Sequence, residues 1–156
     1  MDAIKRFIGT GLYSGLIPGM PGTWGSLIAL IFIIPVALYT SLAGIIIFVI
    51  ITSLLTLWSA DSCEKKWGAD PGRMVMDEWA GQALTFIFVL PSFHSQYLWV
   101  IAVSGFVLFR IFDITKILGV NRLQTLKGGI GILADDLLAA VYAGLCLNFL
   151  TFIIIR

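Results

Sequence analysis

IGILADDLLAAVYAGLCLNFLTFIII, residues 130–155, is an apolar run whose only charged side chains, Asp135 and Asp136, sit about one turn from its start. A membrane helix needs roughly 20 predominantly apolar residues, and this stretch supplies them. It reads as a transmembrane helix with a pair of acids at one end. Toward the amino terminus, further apolar stretches occur at about residues 97–115, 79–92, 42–60 and 24–40. Several of these are short for a straight span. The expectation is an all-α, polytopic membrane helix bundle of about four to five spans, forming a single domain over residues 1–156. Composition agrees: 59% of residues are hydrophobic and 12% charged, with mean hydropathy +1.00, far from the balance of a soluble domain.

The formal net charge is +1 and no basic run interleaves with aromatics, so nucleic acid is excluded as a partner. The opening MDAIKRFIGTGLYSGLIPGMPG meets Gly and Pro before any sustained apolar run, and reads as mature sequence rather than a signal peptide. Cys63 is expected in a charged loop and Cys146 deep in an apolar stretch, so both are expected as free thiols. Neither suits a cysteine phosphatase, because Ala69 stands six residues after Cys63 where such a loop needs Arg.

The breaks between stretches set the topology. Residues 40–42 and 91–97 carry no Lys, Arg, Asp or Glu, whereas 61–78 and 110–128 hold most of the charge. Lys65, Lys66, Arg73, Lys116, Arg122 and Lys127 assign the charged side to the cytoplasm. With five spans, the amino terminus and Cys63 would be cytoplasmic and Arg156 on the far side. Threading the chain this way places every carboxylate at one interface: Asp2, Asp61, Glu64, Asp70, Asp77, Glu78, Asp113, Asp135 and Asp136.

Ionised groups at the edge of hydrocarbon are costly unless paired, solvated or bound to a cation. Asp77, Glu78, Asp113, Asp135 and Asp136 come from three spans to one depth, and a divalent cation would relieve their repulsion. Magnesium takes oxygen ligands and is usually held by one or two carboxylates together with phosphate oxygens, so the set suits a phosphorylated substrate. Single acids have blander uses: Asp77 and Glu78 also favour a helix amino terminus. Periodicity argues for more. Glu78, Gly81, Gln82 and Thr85 share one helix face, and Asp136 shares another with the small residues Ala139, Ala140 and Ala143, so both acids are expected to point into the bundle.

Arg110, Asp113 and Lys116 follow at intervals of three. They form either a local ion-pair ladder, with Lys116 reaching the interface, or a clamp in which Arg110 or Lys116 holds phosphate. Gly-rich stretches at 9–26 and 127–136 each lead into a helix amino terminus, where free N–H groups favour an anion. Thr23, Ser26, Lys127, Gly128 and Gly129 are the candidate phosphate contacts there. The single His94 falls in the uncharged connection opposite the acids and is expected to be dispensable.

PGTWGS at 21–26, MDEWAG at 76–81, FRIFDITK at 109–116 and GGIGILADDLLAA at 128–140 resemble, in order and spacing, the motifs of the bacterial phosphatidylglycerophosphatase A family. The resemblance runs through most of the chain. It implies a multi-pass enzyme of the bacterial inner membrane, active at the cytoplasmic face, that uses Mg2+ to remove the terminal phosphate of phosphatidylglycerophosphate and yield phosphatidylglycerol. Carried over by position, the acids are again Asp77, Glu78, Asp113, Asp135 and Asp136. The chain departs from the family after Lys116, where Ile117 stands in place of a common Pro, which bears on the shape of the 117–127 loop and on substrate preference.

A metal-activated water could attack phosphorus with Asp113 or Asp136 as general base and Lys116 stabilising charge; a carboxylate nucleophile forming an aspartyl-phosphate is the alternative. The rival class is a cation channel or carrier, which would place acids through the membrane depth, whereas the centres of these stretches are almost wholly apolar.

Overall fold

The computed structural model describes residues 1–40, 42–90, 96–117, 119–123, 126 and 128–155. The described residues form helices and turns without a strand: α1 (Asp2–Gly9), a 3-10 turn (Ser14–Leu16), α2 (Pro21–Tyr39), α3 (Leu42–Trp67), α4 (Met76–Ile87), α5 (Leu98–Thr115), α6 (Val120–Leu123) and α7 (Gly129–Ile155). In hydrocarbon every backbone N–H and C=O needs an internal partner, and helices provide that within one segment. Among the described residues, α2, α3, α5 and α7 are long and apolar enough to cross a membrane. Ile31, Ile47, Leu54, Val103, Phe149 and Ile153 are each more than half exposed on them. Such a belt of apolar surface belongs against lipid tails.

The stretch expected as the third span behaves differently. Its helix, α4, has 12 residues, about 18 Å of rise, which is short of the roughly 30 Å hydrocarbon core. It is instead the central post of the bundle. All of Met76–Ala83, together with Thr85 and Phe86, is buried, and α4 packs against α2, α3, α5 and α7. Glycines let the backbones approach. A Cβ added at Gly81 would meet the Phe109 ring and lie 3.1 Å from the Asp136 carbonyl, and one at Gly144 would lie 3.0 Å from the Thr85 carbonyl. Farther along, Asn148 Nδ2 donates to the Phe88 carbonyl at 2.6 Å. These pairings run in the same order along both chains, so α4 and α7 are parallel.

The charged segment after residue 60 is also not the expected loop. α3 continues to Trp67, and Cys63 is fully buried within it. The helix outlasts its apolar run because Asp61 and Lys65 pair at 2.7 Å across one turn, while Ser59 and Cys63 pack against Gly9 of α1. Ser62 Oγ donates to Asp2 Oδ1 at 2.8 Å. α1 is thereby laid against the charged end of α3. After it, Gly11, Leu12 and Tyr13 all take positive φ, turning the chain so that Val75 N–H can donate to the Gly9 carbonyl at 2.9 Å. The amino-terminal segment thus fixes the start of α4.

Candidate active site

α4 begins with Met76-Asp77-Glu78, so both acids stand in its first turn, where the helix dipole favours negative charge. Asp136 comes from the parallel helix α7, about two turns beyond its start at Gly129. One carboxylate oxygen from each of Asp77, Glu78 and Asp136 can lie within 4.8 Å of the other two. The trio borders a cavity of about 270 Å³ whose wall also includes Gly22, Asp70, Arg110, Asp113, Lys116 and Asp135. Asp77, Glu78, Asp113, Asp135 and Asp136 are each no more than 9% exposed.

Two cations serve these acids. Arg110 Nη1 lies 2.6 Å from Asp113 Oδ2 and 3.9 Å from Glu78 Oε1. Lys116 Nζ reaches from the end of α5 to Asp135 Oδ2 on α7 at 2.5 Å. Half-burial works against the charge on Lys116, but the hydrogen bond and charge of Asp135 outweigh it and hold the ammonium above the usual lysine range. Lys116 caps α5 with φ 46°, a left-handed conformation that a side chain adopts at a cost of roughly 1–2 kcal/mol. The backbone turn aims the side chain across to α7.

Among the described residues five buried carboxylates face two cations, and the surplus is visible atom by atom. Asp77 Oδ1, Glu78 Oε2, Asp135 Oδ1 and Asp136 Oδ2 are buried and accept no hydrogen bond from any described residue. An unpaired buried ion costs several kcal/mol. Hard oxygen donors converging at this spacing fit a magnesium-type cation, which would supply the missing positive charge.

The structure gathers Asp77, Glu78, Arg110, Asp113, Lys116, Asp135 and Asp136 around one cavity and leaves other expected residues aside. Ser26 is buried and donates to the Gly22 carbonyl in its own helix at 2.9 Å. Thr23 Oγ1 is buried without a hydrogen-bond partner among the described residues, next to the cavity wall at Gly22. Gly129 packs on α3, where an added Cβ would lie 2.7 Å from that of Ala60, and Gly128 is nearest Glu64. Neither glycine is part of the wall of this cavity. Lys127 and His94 lie outside the described residues.

Sequence reasoning missed Gly22 and the turn Asp70-Pro71-Gly72, which complete the wall. A Cβ at Gly22 would fall on Glu78 Oε1 and lie 3.0 Å from both terminal guanidinium nitrogens of Arg110. A glycine carries no side-chain signal, and only its place in PGTWGS marked it. Asp70 stood in view as one of the interfacial acids, but nothing in the spacing placed it at the cavity.

The sequence pattern of the phosphatidylglycerophosphatase A family matches residues 7–151. A protein of Bacteroides thetaiotaomicron that carries a provisional phosphatidylinositol-3-phosphatase name is 42% identical over 87% of this chain and 86% of its own. Proteins named phosphatidylglycerophosphatase A from Haemophilus influenzae and Escherichia coli are 38% and 33% identical, covering 88% and 93% of this chain and 83% and 82% of theirs. No solved structure matches the chain. The match takes in Gly22, α4, the end of α5 and the start of α7, every element that walls the acidic cavity, and the chain belongs to the phosphatidylglycerophosphatase A family of membrane phosphatases.

Proposed function

We propose that the chain hydrolyses the terminal phosphomonoester of phosphatidylglycerophosphate in a magnesium-dependent reaction at the cytoplasmic face of the bacterial inner membrane. The observation that carries this reading is the convergence of Asp77, Glu78 and Asp136 within 4.8 Å beside two cations at the charged end of a membrane bundle. Relatives named phosphatidylglycerophosphatase A support the substrate. The positive residues at that end support the cytoplasmic side.

Asp77, Glu78 and Asp136 would hold the ion, with Asp135 beside them. An ion held there would supply Lewis-acid chemistry, drawing charge from a phosphoryl oxygen and making water a better nucleophile. Arg110 turns its guanidinium from Glu78 and Asp113 toward the phosphate, a planar donor set suited to two oxygens. Lys116, kept charged by Asp135, adds a second positive group as the phosphoryl group passes through its transition state. Asp113 lies outside the compact trio and takes the proton of the attacking water. The new P–O bond forms as the bond to the glycerol oxygen breaks, and that oxygen leaves as an alcohol after protonation. Inorganic phosphate and phosphatidylglycerol are the products.

The test is phosphate release by the purified chain from phosphatidylglycerophosphate, phosphatidylinositol 3-phosphate and phosphatidic acid, with magnesium and after metal stripping. Turnover of the first, lost in excess chelator and restored by magnesium, is expected. Full turnover without metal would overturn the role given to the acids. Preference for the inositol lipid would favour the specificity named for the Bacteroides relative.

A further inference from the structure

A second large concavity lies between α2 and α5, on the lipid-facing side. It has a volume of about 600 Å³, and its walls include Trp24, Ile31 and Pro35 from α2 and Trp99, Ala102 and Val103 from α5. Every lining residue is apolar or aromatic, apart from the indole N–H groups. Trp99 is 68% exposed, Ile31 67% and Val103 59%, so the groove opens to the bilayer.

Its placement relates it to the acidic cavity. From Trp24 to Pro35 the groove follows α2 for about 16 Å, close to one leaflet of a hydrocarbon core of roughly 30 Å. Its lower end starts two residues after Gly22, which walls the cavity. On α5, Val103 and Arg110 are seven residues apart, so they share one helix face about 10 Å apart. An extended apolar chain in the groove would therefore end beside the guanidinium that faces the carboxylates.

We propose that this groove holds one acyl chain of the lipid substrate and so sets the depth at which its phosphate meets the acidic cavity, an inference that rests on the lipid phosphatase reading. The groove makes the enzyme selective for chain-bearing phosphates over their water-soluble headgroups. It does so through binding energy from the acyl chain that the headgroup alone lacks.

The full chain in nanodiscs, irradiated with phosphatidic acid bearing a photoreactive acyl chain, tests the occupant directly. Adducts are expected on the 24–35 and 99–103 segments, suppressed by excess unlabelled phosphatidic acid but not by phosphatidylcholine. Adducts spread equally over the exposed faces of α3 and α7, or suppressed equally by phosphatidylcholine, would reduce the groove to ordinary lipid surface. Chain-to-chain crosslinks from a photoreactive residue at position 103 would give the groove to a second copy and overturn the proposal.

Kinetics provide a second arm. Val103→Trp is expected to raise KM for dioleoyl phosphatidylglycerophosphate at least about tenfold, leaving turnover of the deacylated headgroup unchanged. Ile50→Trp, on the exposed side of α3, should alter neither. Equal loss on both substrates in Val103→Trp would count against the groove. If the wild-type chain fails to hydrolyse phosphatidylglycerophosphate while competed groove adducts persist, the substrate assignment falls and the acyl site stands.

Discussion

Asp136 shows how a single residue can be legible in sequence. A carboxylate inside an apolar run must have a compensating partner, and the small residues on its face said that the run is packed rather than lipid-exposed there. The structure bears out the packing, with Ala139, Ala140 and Ala143 fully buried. Asp136→Asn is expected to lower turnover by a factor on the order of 10² or more. Stability should hold or rise, because one of several mutually repelling charges is gone. Phosphate release measured beside thermal unfolding in detergent checks both, and an unfolded variant would make the residue structural. Gly22 was not legible, since its role is the absence of a side chain. Gly22→Ala would ordinarily favour a helix by about 1 kcal/mol, but here it displaces Glu78 and Arg110. A drop in kcat/KM of about tenfold or more with little change in melting temperature is expected, and normal activity would show that the cavity tolerates the shift.

At the scale of elements, sequence periodicity placed the inner faces of α4 and α7 correctly and the limits of α3 and α4 poorly. Charged residues past position 60 read as loop because hydropathy ends there, yet α3 continues on contacts with α1 that lie some sixty residues away in sequence. Lys116 paired with Asp135 was likewise hidden, because the ladder spacing on α5 suggested Asp113 as partner and only the left-handed turn redirects it. That turn can be isolated experimentally. Lys116→Ala and Lys116→Gly both lose the ammonium and its ion pair, so the two should be equally impaired in turnover. Glycine alone accepts the backbone without strain, and Lys116→Gly should be the more stable by about 1 kcal/mol. Equal melting temperatures would mean that the backbone relaxes. The glycine contacts of α4 and α7 make a further prediction. Gly144→Leu wedges the pair apart where Thr85 and Phe88 approach. It should lower the melting temperature by several degrees and weaken activation by magnesium, since Asp136 moves away from Asp77 and Glu78.

For the whole molecule, four described helices long enough to cross a membrane and a buried post fall within the expected four to five spans, and direction alternates as expected: α2, α4 and α7 run away from the charged end and α3 and α5 return to it. A carboxyl-terminal reporter active only in the cytoplasm should therefore stay silent, and a signal would reverse the topology. Burial makes Cys63 a poor labelling probe for the same question.

The shortness of α4 also dictates a schedule for biogenesis. A helix of 12 residues that includes Asp77, Glu78 and Gln82 is too short to cross the hydrocarbon core and too polar to partition into lipid readily alone. α2 and α3 supply part of its packing, and the remainder comes from α5 and α7, which are synthesised later. α4 is therefore expected to be incompletely seated until those partners arrive. In a Cys63→Ser chain ending before Leu98, a cysteine introduced by Gln82→Cys should react with an impermeant maleimide applied to the charged side, while the same position in the full-length chain, with Cys63→Ser and Cys146→Ser, is protected. Protection in the truncated chain would show that α2 and α3 alone can seat the post. Asp136 belongs to the last helix, so the three carboxylates proposed to hold the ion meet only when synthesis is nearly complete, and on that reading the nascent chain is inactive until then.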